Sequence, residues 1–333
     1  MSLIFVKGGS SIVGVNRVGR ECLSLGVGWF MGLVLVKRVL VVGGGVMGQQ
    51  IALQCAAHGF SVVLNDVSDE RLRESERELR NFASQMACEQ SLTQKQLDEV
   101  LANVEYIADQ VAASVDVDLL IESVPEDVCL KRQVLKRFHD LCGMQTLFAT
   151  TTSTLLPKEL AKQSGRPTQF AALHFHPNVW HANFVDLMPA KTTSPETVEA
   201  LRGFAVAIDQ TPIVYEREYR GYIVNRILFG VFREVLSMAA QDIASVEDID
   251  RAFTGVLKTE DGPFRMMDRI GLDTMLSIND FWCKRLLQLP RLDPVNRRNR
   301  ELLKSYVSQG HCGEKSGQGF YKHPHDDEDK TSV

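Results

Sequence analysis

Residues 39–66 read VLVVGGGVMGQQIALQCAAHGFSVVLND, and the fold of the chain follows from this stretch. The four aliphatic residues at 39–42 predict a strand that is buried on both faces. A helical pattern follows, in which five apolar or small residues share one face: Val46, Ile51, Ala52, Cys55 and Ala56. Gly59 ends this helix, residues 61–64 predict a second strand, and Asp66 follows that strand. The stretch therefore predicts a strand, a tight turn, a helix and a second strand.

Three glycines of this stretch form a G-x-G-x-x-G pattern, and each has a physical reason. Gly43 allows the tight turn out of the strand, Gly45 lets a pyrophosphate approach the backbone, and Gly48 lets helix and strand pack closely. The helix N-terminus offers unpaired N–H groups to the phosphates. Asp66 can accept hydrogen bonds from the adenosine ribose, and its charge would repel a 2′-phosphate. The sequence therefore predicts a site for NAD rather than NADP.

Length and composition exclude several classes of protein. With 333 residues the chain is long enough for two domains, and its net charge of −5 gives no general attraction to nucleic acid. The seven cysteines are spread singly and no C-x-x-C occurs, which argues against a disulfide framework or a metal site. Cysteines used in this way indicate a reducing compartment, and we expect a cytoplasmic protein.

The two ends of the chain differ from the rest. Residues 1–36 are rich in glycine and serine and then apolar, but the apolar run at 25–36 is shorter than the roughly 20 residues that span a bilayer. We expect no membrane segment there, and interpret 1–36 as a non-essential, poorly ordered extension with Met31 as the natural start. Residues 323–333 are acidic and polar, and we expect a flexible tail.

Predicted strands and helices alternate along residues 37–218, which indicates an α/β domain with a doubly wound parallel sheet of the Rossmann type. Ligands of such sheets bind at the carboxyl ends of the strands. We expect four segments to meet on that rim: residues 43–48, Asp66, residues 122–126 and residues 150–154. Residues 221–309 show helical periodicity and no strand signals, which predicts an all-α C-terminal domain over residues 219–322.

A histidine suits the proton transfer that accompanies hydride transfer, because its usual pKa lies near neutral pH. His174 ends a predicted buried strand on the rim, and His176 and His181 are its rivals by position. Asp186, on the next predicted strand, is the carboxylate that could orient the imidazole. The alternative for Asp186 is an ordinary strand-end residue that caps a local group.

Two further polar residues have both a functional and a structural interpretation. Ser153 could hydrogen-bond a substrate oxygen, or could be a turn residue or the N-cap of a helix over residues 155–163. Asn225 lies in an apolar helical run, where an amide needs a partner. It could make a structural hydrogen bond or contact the substrate.

With these residues in place, the chain resembles the L-3-hydroxyacyl-CoA dehydrogenase family over residues 37–321. The glycine pattern and Asp66 match, and His174 follows Ser153 at the family's spacing of twenty-one residues. The other matching motifs are TTSTL at 151–155, GYIVNR at 221–226, SVEDID at 245–250, GP at 262–263, GLDT at 271–274 and GEKSGQGFY at 313–321.

The resemblance implies an enzyme that interconverts an L-3-hydroxyacyl-CoA and a 3-ketoacyl-CoA with NAD. It implies that His174 is the acid/base, that Asp186 orients it, and that Ser153 and Asn225 contact the substrate oxygen. It also implies a homodimer formed through the helical domain. The implied cofactor-binding residues are Gly43, Gly45, Val46, Met47, Gly48, Asp66, Glu126, Lys131 and Ser153.

The chain departs from the family pattern around the substrate. The family has H-F-F-N-P where this chain has HFHPN at 174–178, and Asp186 replaces a glutamate that is one methylene longer, roughly 1.5 Å of reach. Residues 78–90 contain no lysine to hold CoA. Two alternatives therefore stay open: a dehydrogenase of a 3-hydroxy acid without CoA, of the sugar-acid or carnitine type, or an NAD-binding protein with little turnover.

We expect the substitution Asp66→Ala to weaken the preference for NAD over NADP. Without the carboxylate, a 2′-phosphate is no longer repelled and the ribose hydroxyls lose an acceptor. Fluorescence titrations with NADH and NADPH measure the ratio of the two dissociation constants. A ratio equal to that of the wild type would count against the ribose contact.

Overall fold

The computed structural model describes residues 36–285 and 294–323. The predictions made for residues 1–35 and 324–333 lie outside the described residues. Val36, assigned above to the extension, is buried in a core. The chain divides into two compact units between Glu218 and Tyr219.

The first unit alternates strands and helices, as predicted. Its strands are β1 (Arg38–Val42), β2 (Ser61–Asn65), β3 (Val104–Tyr106), β4 (Leu119–Glu122), β5 (Leu147–Thr150), β6 (Phe170–Phe175), β7 (Phe184–Pro189) and β8 (Thr211–Val214). Its helices are α1 (Val46–Ala57), α2 (Asp69–Gln90), α3 (Gln94–Ala102), α4 (Gln110–Ala113), α5 (Val128–His139), α6 (Lys158–Ala161) and α7 (Pro195–Ala207).

The strands form one eight-stranded sheet in the order β3-β2-β1-β4-β5-β6-β7-β8. The first six strands of this order are parallel and follow the strand order of dinucleotide-binding sheets. The prediction of a wholly parallel sheet was wrong at β7, which runs antiparallel to β6. Residues 176–183 join these neighbours without a helix, and so short a link cannot make the crossover that parallel strands need.

The central strands are buried on both faces, which explains their continuous aliphatic sequence. Val39, Leu40 and Val41 of β1 are fully buried, and the residues of β1 alternate between two core clusters, one on each side of the sheet. The predicted apolar face of α1 is correct at Ile51, Ala52, Cys55 and Ala56. It was wrong at Val46, which is 56% exposed because it is the first residue of the helix, just beyond the carboxyl end of β1.

The second unit is helical throughout its described part, apart from two isolated bridges near its C-terminal end. Its helices are α8 (Ile223–Ala239), α9 (Val246–Leu257), α10 (Pro263–Ile270), α11 (Leu272–Arg285) and α12 (Pro294–Val307). Ser245 is the N-cap of α9, and its hydroxyl accepts a hydrogen bond from the backbone N–H of Asp248. In the described part of the chain, no helix combines the length and the apolar character that crossing a bilayer requires.

The glycine-rich C-terminal motif closes around Asp268, whose side chain is fully buried. This carboxylate accepts hydrogen bonds from the backbone N–H groups of Phe320 and Tyr321, at 2.8 and 2.9 Å. His323 Nε2 lies 2.9 Å from the same carboxylate, so the boundary of the predicted flexible tail was one residue too early. A Cβ on Gly313 or Gly319 would lie 2.1 Å from an oxygen of Asp268, and only glycine fits there.

A buried ion pair lies at the end of β4. Glu122 ends this strand with a fully buried side chain, and Lys131 of α5 has a side chain that is 1% exposed. Lys131 Nζ donates to Glu122 Oε1 at 2.8 Å and to the carbonyl of Val124 at 3.0 Å. Thr150, at the end of the neighbouring strand β5, donates to the other oxygen of Glu122 at 2.6 Å. Both charges are therefore fully engaged by protein groups.

We expect Lys131→Met to lower the free energy of unfolding by about 3–5 kcal/mol, because it leaves Glu122 buried without its counter-ion. Lys95→Met is the matched control, since Lys95 Nζ lies 3.9 Å from Glu99 and its side chain is 87% exposed. An exposed pair of this kind contributes little to stability. Urea unfolding without cofactor measures both variants, and equal losses would contradict the role given to Lys131.

Candidate active site

The turn between β1 and α1 can only be built with glycine at two of its positions. Gly43 has a φ of +108°, and a Cβ there would lie 2.6 Å from the carbonyl oxygen of Ser123. A Cβ on Gly48 would lie 1.9 Å from the carbonyl oxygen of Gly43. The two positions therefore allow the tight turn and the close contact of helix and strand that the sequence predicted.

Gly45 is different, because no protein atom lies within 4 Å of the position its Cβ would take. Gly45 is the N-cap of α1, and both it and Val46 are exposed, while Met47 is half-buried. The turn therefore presents open backbone and the positive end of a helix at one place. A pyrophosphate fits this cradle, which a side chain at Gly45 would fill.

Asp66 lies beside the glycine turn, as a ribose-binding carboxylate must. Its Oδ2 accepts a hydrogen bond from Gly44 N–H at 2.7 Å, and its Oδ1 accepts one from Val67 N–H at 2.7 Å. Ser75 of α2 donates to the carbonyl of Gly44 at 2.8 Å and fixes the turn from the other side. The residues present therefore fit a dinucleotide with a free 2′-hydroxyl.

The predicted pair of His174 and Asp186 is formed. In the antiparallel register of β6 and β7 the two residues stand opposite each other, and His174 Nδ1 lies 3.0 Å from Asp186 Oδ2. His174 is 6% exposed and Asp186 is fully buried. Asp186 lies inside β7, so its alternative as a strand-end cap was wrong. Because β6 extends to Phe175, His174 is one residue inside its strand rather than the last residue of it.

Asp186 has two further partners that the sequence did not indicate. Tyr215, which follows β8, donates its hydroxyl to Asp186 Oδ1 at 2.9 Å. His176 Nε2 lies 2.9 Å from Asp186 Oδ2, the oxygen that also faces His174. His176 entered the sequence interpretation only as a rival for the role of His174. The structure instead joins both histidines to one carboxylate.

The protonation states of the pair follow from burial and from these hydrogen bonds. Burial alone would raise the pKa of Asp186, but hydrogen bonds from His174, His176 and Tyr215 lower that pKa to about 2. Burial lowers the pKa of His174 below 6.5, although the hydrogen bond to Asp186 opposes this. Near neutral pH, Asp186 is therefore ionised and His174 is a neutral imidazole that can accept a proton.

Glu126 joins the ion pair of β4 to the turn after β5. It accepts hydrogen bonds from the hydroxyl of Thr152, and from the backbone N–H and hydroxyl of Thr154 at 2.9 and 2.7 Å. Lys131 Nζ lies 3.4 Å from its carboxylate. Burial raises the pKa of Glu126, but Lys131 and the two threonines lower it more, so the net pKa lies below its usual value. Lys131 points into the protein and is fixed on the two glutamates.

Ser153 lies half-buried in this turn, between the two threonines that Glu126 holds. It is not an N-cap: α6 is a single turn that begins at Lys158, and the N–H of Leu155 is accepted by the hydroxyl of Thr152 at 3.1 Å. The N-cap alternative for Ser153 was therefore wrong, whereas its place in the turn agrees with the other structural alternative, a turn serine. Asn225 lies half-buried in the first turn of α8, in the second unit, and its substrate contact stays a prediction.

Gln50 links the glycine helix to the segment that follows β6. Its Oε1 accepts the backbone N–H groups of Asn178 and Val179 at 2.8 and 3.4 Å, and its side chain is buried in α1. Asn178 has a φ of +60°, in the left-handed region. The only sign of this link in the sequence is that α1 carries glutamines among its apolar residues.

Residues 38–219 match the model of the NAD binding domain of 3-hydroxyacyl-CoA dehydrogenase, and residues 221–323 match the model of its C-terminal domain. The chain belongs to the 3-hydroxyacyl-CoA dehydrogenase family. It is therefore an NAD-dependent oxidoreductase, and the resemblance stated from the sequence is confirmed.

Relatives cover nearly the whole described chain. The human mitochondrial hydroxyacyl-coenzyme A dehydrogenase is 32% identical over 301 residues, which are 87% of this chain and 92% of the human protein. The structure of a diketoreductase that acts on dicarbonyl compounds is 32% identical, with a TM-score of 0.79 over 86% of this chain and 99% of that one. The (S)-3-hydroxybutyryl-CoA dehydrogenase of Ralstonia eutropha has a TM-score of 0.79 at 27% identity, over 87% of this chain and 100% of that one.

The two substitutions Gly45→Ala and Gly48→Ala should have opposite effects. Gly45→Ala meets no protein atom and leaves Tm unchanged, but its methyl group fills the pyrophosphate cradle and weakens NADH binding by about tenfold or more, about 1.4 kcal/mol. Gly48→Ala forces a methyl group onto the Gly43 carbonyl and lowers stability by about 1–3 kcal/mol. Thermal unfolding and NADH fluorescence titration separate the two effects. Wild-type NADH affinity in Gly45→Ala would disprove the cradle.

Proposed function

We propose that this protein catalyses the reversible oxidation of an L-3-hydroxyacyl-CoA to a 3-ketoacyl-CoA with NAD. The observation that carries the proposal is the buried pair of His174 and Asp186 at the same end of the sheet as the glycine turn. Family membership gives the reaction class, and the pair supplies the proton transfer that this reaction needs.

The cofactor site consists of the turn at 43–48, the N-terminus of α1 and Asp66. Bound NAD supplies the hydride acceptor for the substrate carbon. The exposed backbone at Gly45 and Val46 receives the pyrophosphate, and Asp66 receives the ribose hydroxyls. Glu126 and Lys131 support the neighbouring turn, where Ser153 stands, and we assign them to the cofactor site through that turn.

His174 moves the proton. Its Nδ1–H donates to Asp186, which fixes the tautomer, and the hydroxyl proton of the substrate is taken up at Nε2. The ionised Asp186 then stabilises the imidazolium that forms. In the reverse direction the same nitrogen returns the proton to the substrate oxygen. Ser153 donates a hydrogen bond to that oxygen, and Asn225 is the second contact that family resemblance implies.

A second candidate function is the reduction of a carbonyl compound without CoA. It is favoured by the similarity to a diketoreductase, which reaches the same TM-score as the CoA-dependent relative. The long helix α2 also carries no lysine between residues 78 and 90. The third interpretation, an NAD-binding protein with little turnover, is disfavoured by the intact pair of His174 and Asp186.

We also propose that the protein is a cytoplasmic homodimer. Five cysteines, at 55, 88, 129, 142 and 312, are unpaired, as a reducing compartment would keep them. The helical unit exposes apolar side chains that a partner would cover, among them Ile227, Ile243 and Val256 at 62%, 69% and 78% exposure. A monomeric mass in light scattering at micromolar concentration would contradict the dimer.

We expect His174→Ala to lower kcat for acetoacetyl-CoA reduction by about 10²- to 10⁴-fold, the usual contribution of a general acid/base. The affinity for NADH should stay at the wild-type value, since His174 is not part of the glycine turn. His181→Ala is the matched control, because His181 is exposed in the same segment and should leave kcat unchanged. A near-normal kcat in His174→Ala would remove His174 from its role and favour His176.

A further inference from the structure

One carboxylate oxygen serves two imidazoles in this protein. Asp186 Oδ2 lies 3.0 Å from His174 Nδ1 and 2.9 Å from His176 Nε2. The two rings are 4.7 Å apart and meet edge to face, at an interplanar angle of 73°. The side chain of His176 is only 12% exposed, so water competes little for its nitrogen. His176 is therefore part of the buried pair and not a surface neighbour.

The backbone explains how His176 reaches Asp186. It follows His174 by two residues, and in extended chain such residues share one face. The pattern of the resembling family has phenylalanine at this place. His176 keeps an aromatic role as well, because its ring lies on Phe184 with the centroids 4.3 Å apart. The histidine thus fills an aromatic position and adds a hydrogen-bond donor.

The chemistry of the carboxylate fixes the direction of these bonds. An ionised carboxylate only accepts hydrogen bonds, so His174 donates through Nδ1–H and His176 donates through Nε2–H. Tyr215 donates to the other oxygen, Oδ1, at 2.9 Å. With His176 present, the oxygen that should stabilise a proton on His174 already carries a second donor.

We propose that His176 is a positioning residue of the dehydrogenase reaction, which holds Asp186 in place for His174 and weakens the pull of that carboxylate on a proton at His174. The proposal rests on the proposed role of His174 as the acid/base. His176 is one of the positions at which this chain departs from the family pattern.

The surrounding groups agree with this role. Burial lowers the pKa of His174, the hydrogen bond to Asp186 raises it, and the nearby His176 lowers it again, because protons on two rings so close repel each other. Asp186 and Glu126 are negative charges that act on His174 and raise its pKa. With a lower pKa, His174 stays neutral to lower pH as the base of the oxidation. As the acid of the reduction it gives up its proton more readily.

Two substitutions of His176 separate hydrogen bonding from packing. His176→Phe keeps an aromatic ring against Phe184 but removes the donor, whereas His176→Gln restores an N–H donor near the position of Nε2 without a titratable ring. NMR titration of labelled histidines follows the pKa of His174, whose signal is assigned by its loss in His174→Gln. This measurement needs no turnover.

We expect His176→Phe to raise the pKa of His174 by about one pH unit, the effect of one charge-assisted hydrogen bond. His176→Gln should return the pKa toward the wild-type value. In oxidation of 3-hydroxybutyryl-CoA, the acid limb of kcat/KM should move to higher pH by the same amount in His176→Phe, while NADH affinity stays constant. A merely structural role would change kcat or stability and leave this limb in place.

Three results would count against the account in different ways. An unchanged pKa of His174 in His176→Phe, or equal shifts in both variants, would overturn the role of His176. The atoms of His174, His176 and Asp186 also lie within 4.8 Å of one another, as metal ligands can. A wild-type pKa of His174 that changes after EDTA treatment would show a metal in the cluster and would overturn the proposal. Absence of turnover in the wild type would contradict only the proposed function, since the NMR titration still decides the role of His176.

Discussion

The candidate active site depends on one fully buried, ionised carboxylate. Removing a carboxylate from water costs several kcal/mol unless hydrogen bonds compensate, and Asp186 receives them from His174, His176 and Tyr215. These donors come from β6, from the segment after it and from the residue that follows β8. The carboxylate, which belongs to β7, therefore links three neighbouring strands of the sheet around His174. The reversal of direction at β7 makes this possible, because it sets His174 and Asp186 opposite each other in the register.

The cofactor site and the proton-transfer site share the carboxyl ends of the parallel strands. In the sheet register Val42, Glu122 and Thr150 lie level with one another at the ends of three neighbouring strands, and His174 lies beyond that level on the next. Gln50 ties the helix of the glycine turn to the segment after β6. The glycine turn and His174 therefore lie at the same end of the sheet, and the bond from Gln50 links the helix that follows this turn to the segment that follows β6.

Features that depend on residues close to one another in the chain could be predicted from the sequence. The glycine turn and Asp66 lie within 28 residues of one another, and their roles follow from steric limits on each residue. The pair of His174 and Asp186 could be predicted because neighbouring strands in the chain are usually neighbours in a sheet. The direction of β7 was missed because alternating strands and helices suggested parallel strands throughout. Two hydrogen bonds were missed, that of Tyr215 to Asp186 and that of Thr150 to Glu122. They join residues 29 and 28 positions apart, and no periodic signal in the sequence marks them. Ser153 was given an N-cap alternative because a serine before an apolar run looks like one, whereas Thr152 makes that bond.

The departures from the family pattern lie beside His174, at His176 and Asp186, and in residues 78–90 of α2, which contain no lysine to hold CoA. All of them bear on the choice of substrate. The measurement that tests the substrate most directly is NADH oxidation with acetoacetyl-CoA beside free acetoacetate, followed by absorbance. We predict fast turnover with the thioester and slow or absent turnover with the free acid. Equal or faster turnover of the free acid would contradict an acyl-CoA substrate, and turnover of neither by a protein that still binds NADH would contradict the proposed dehydrogenase function.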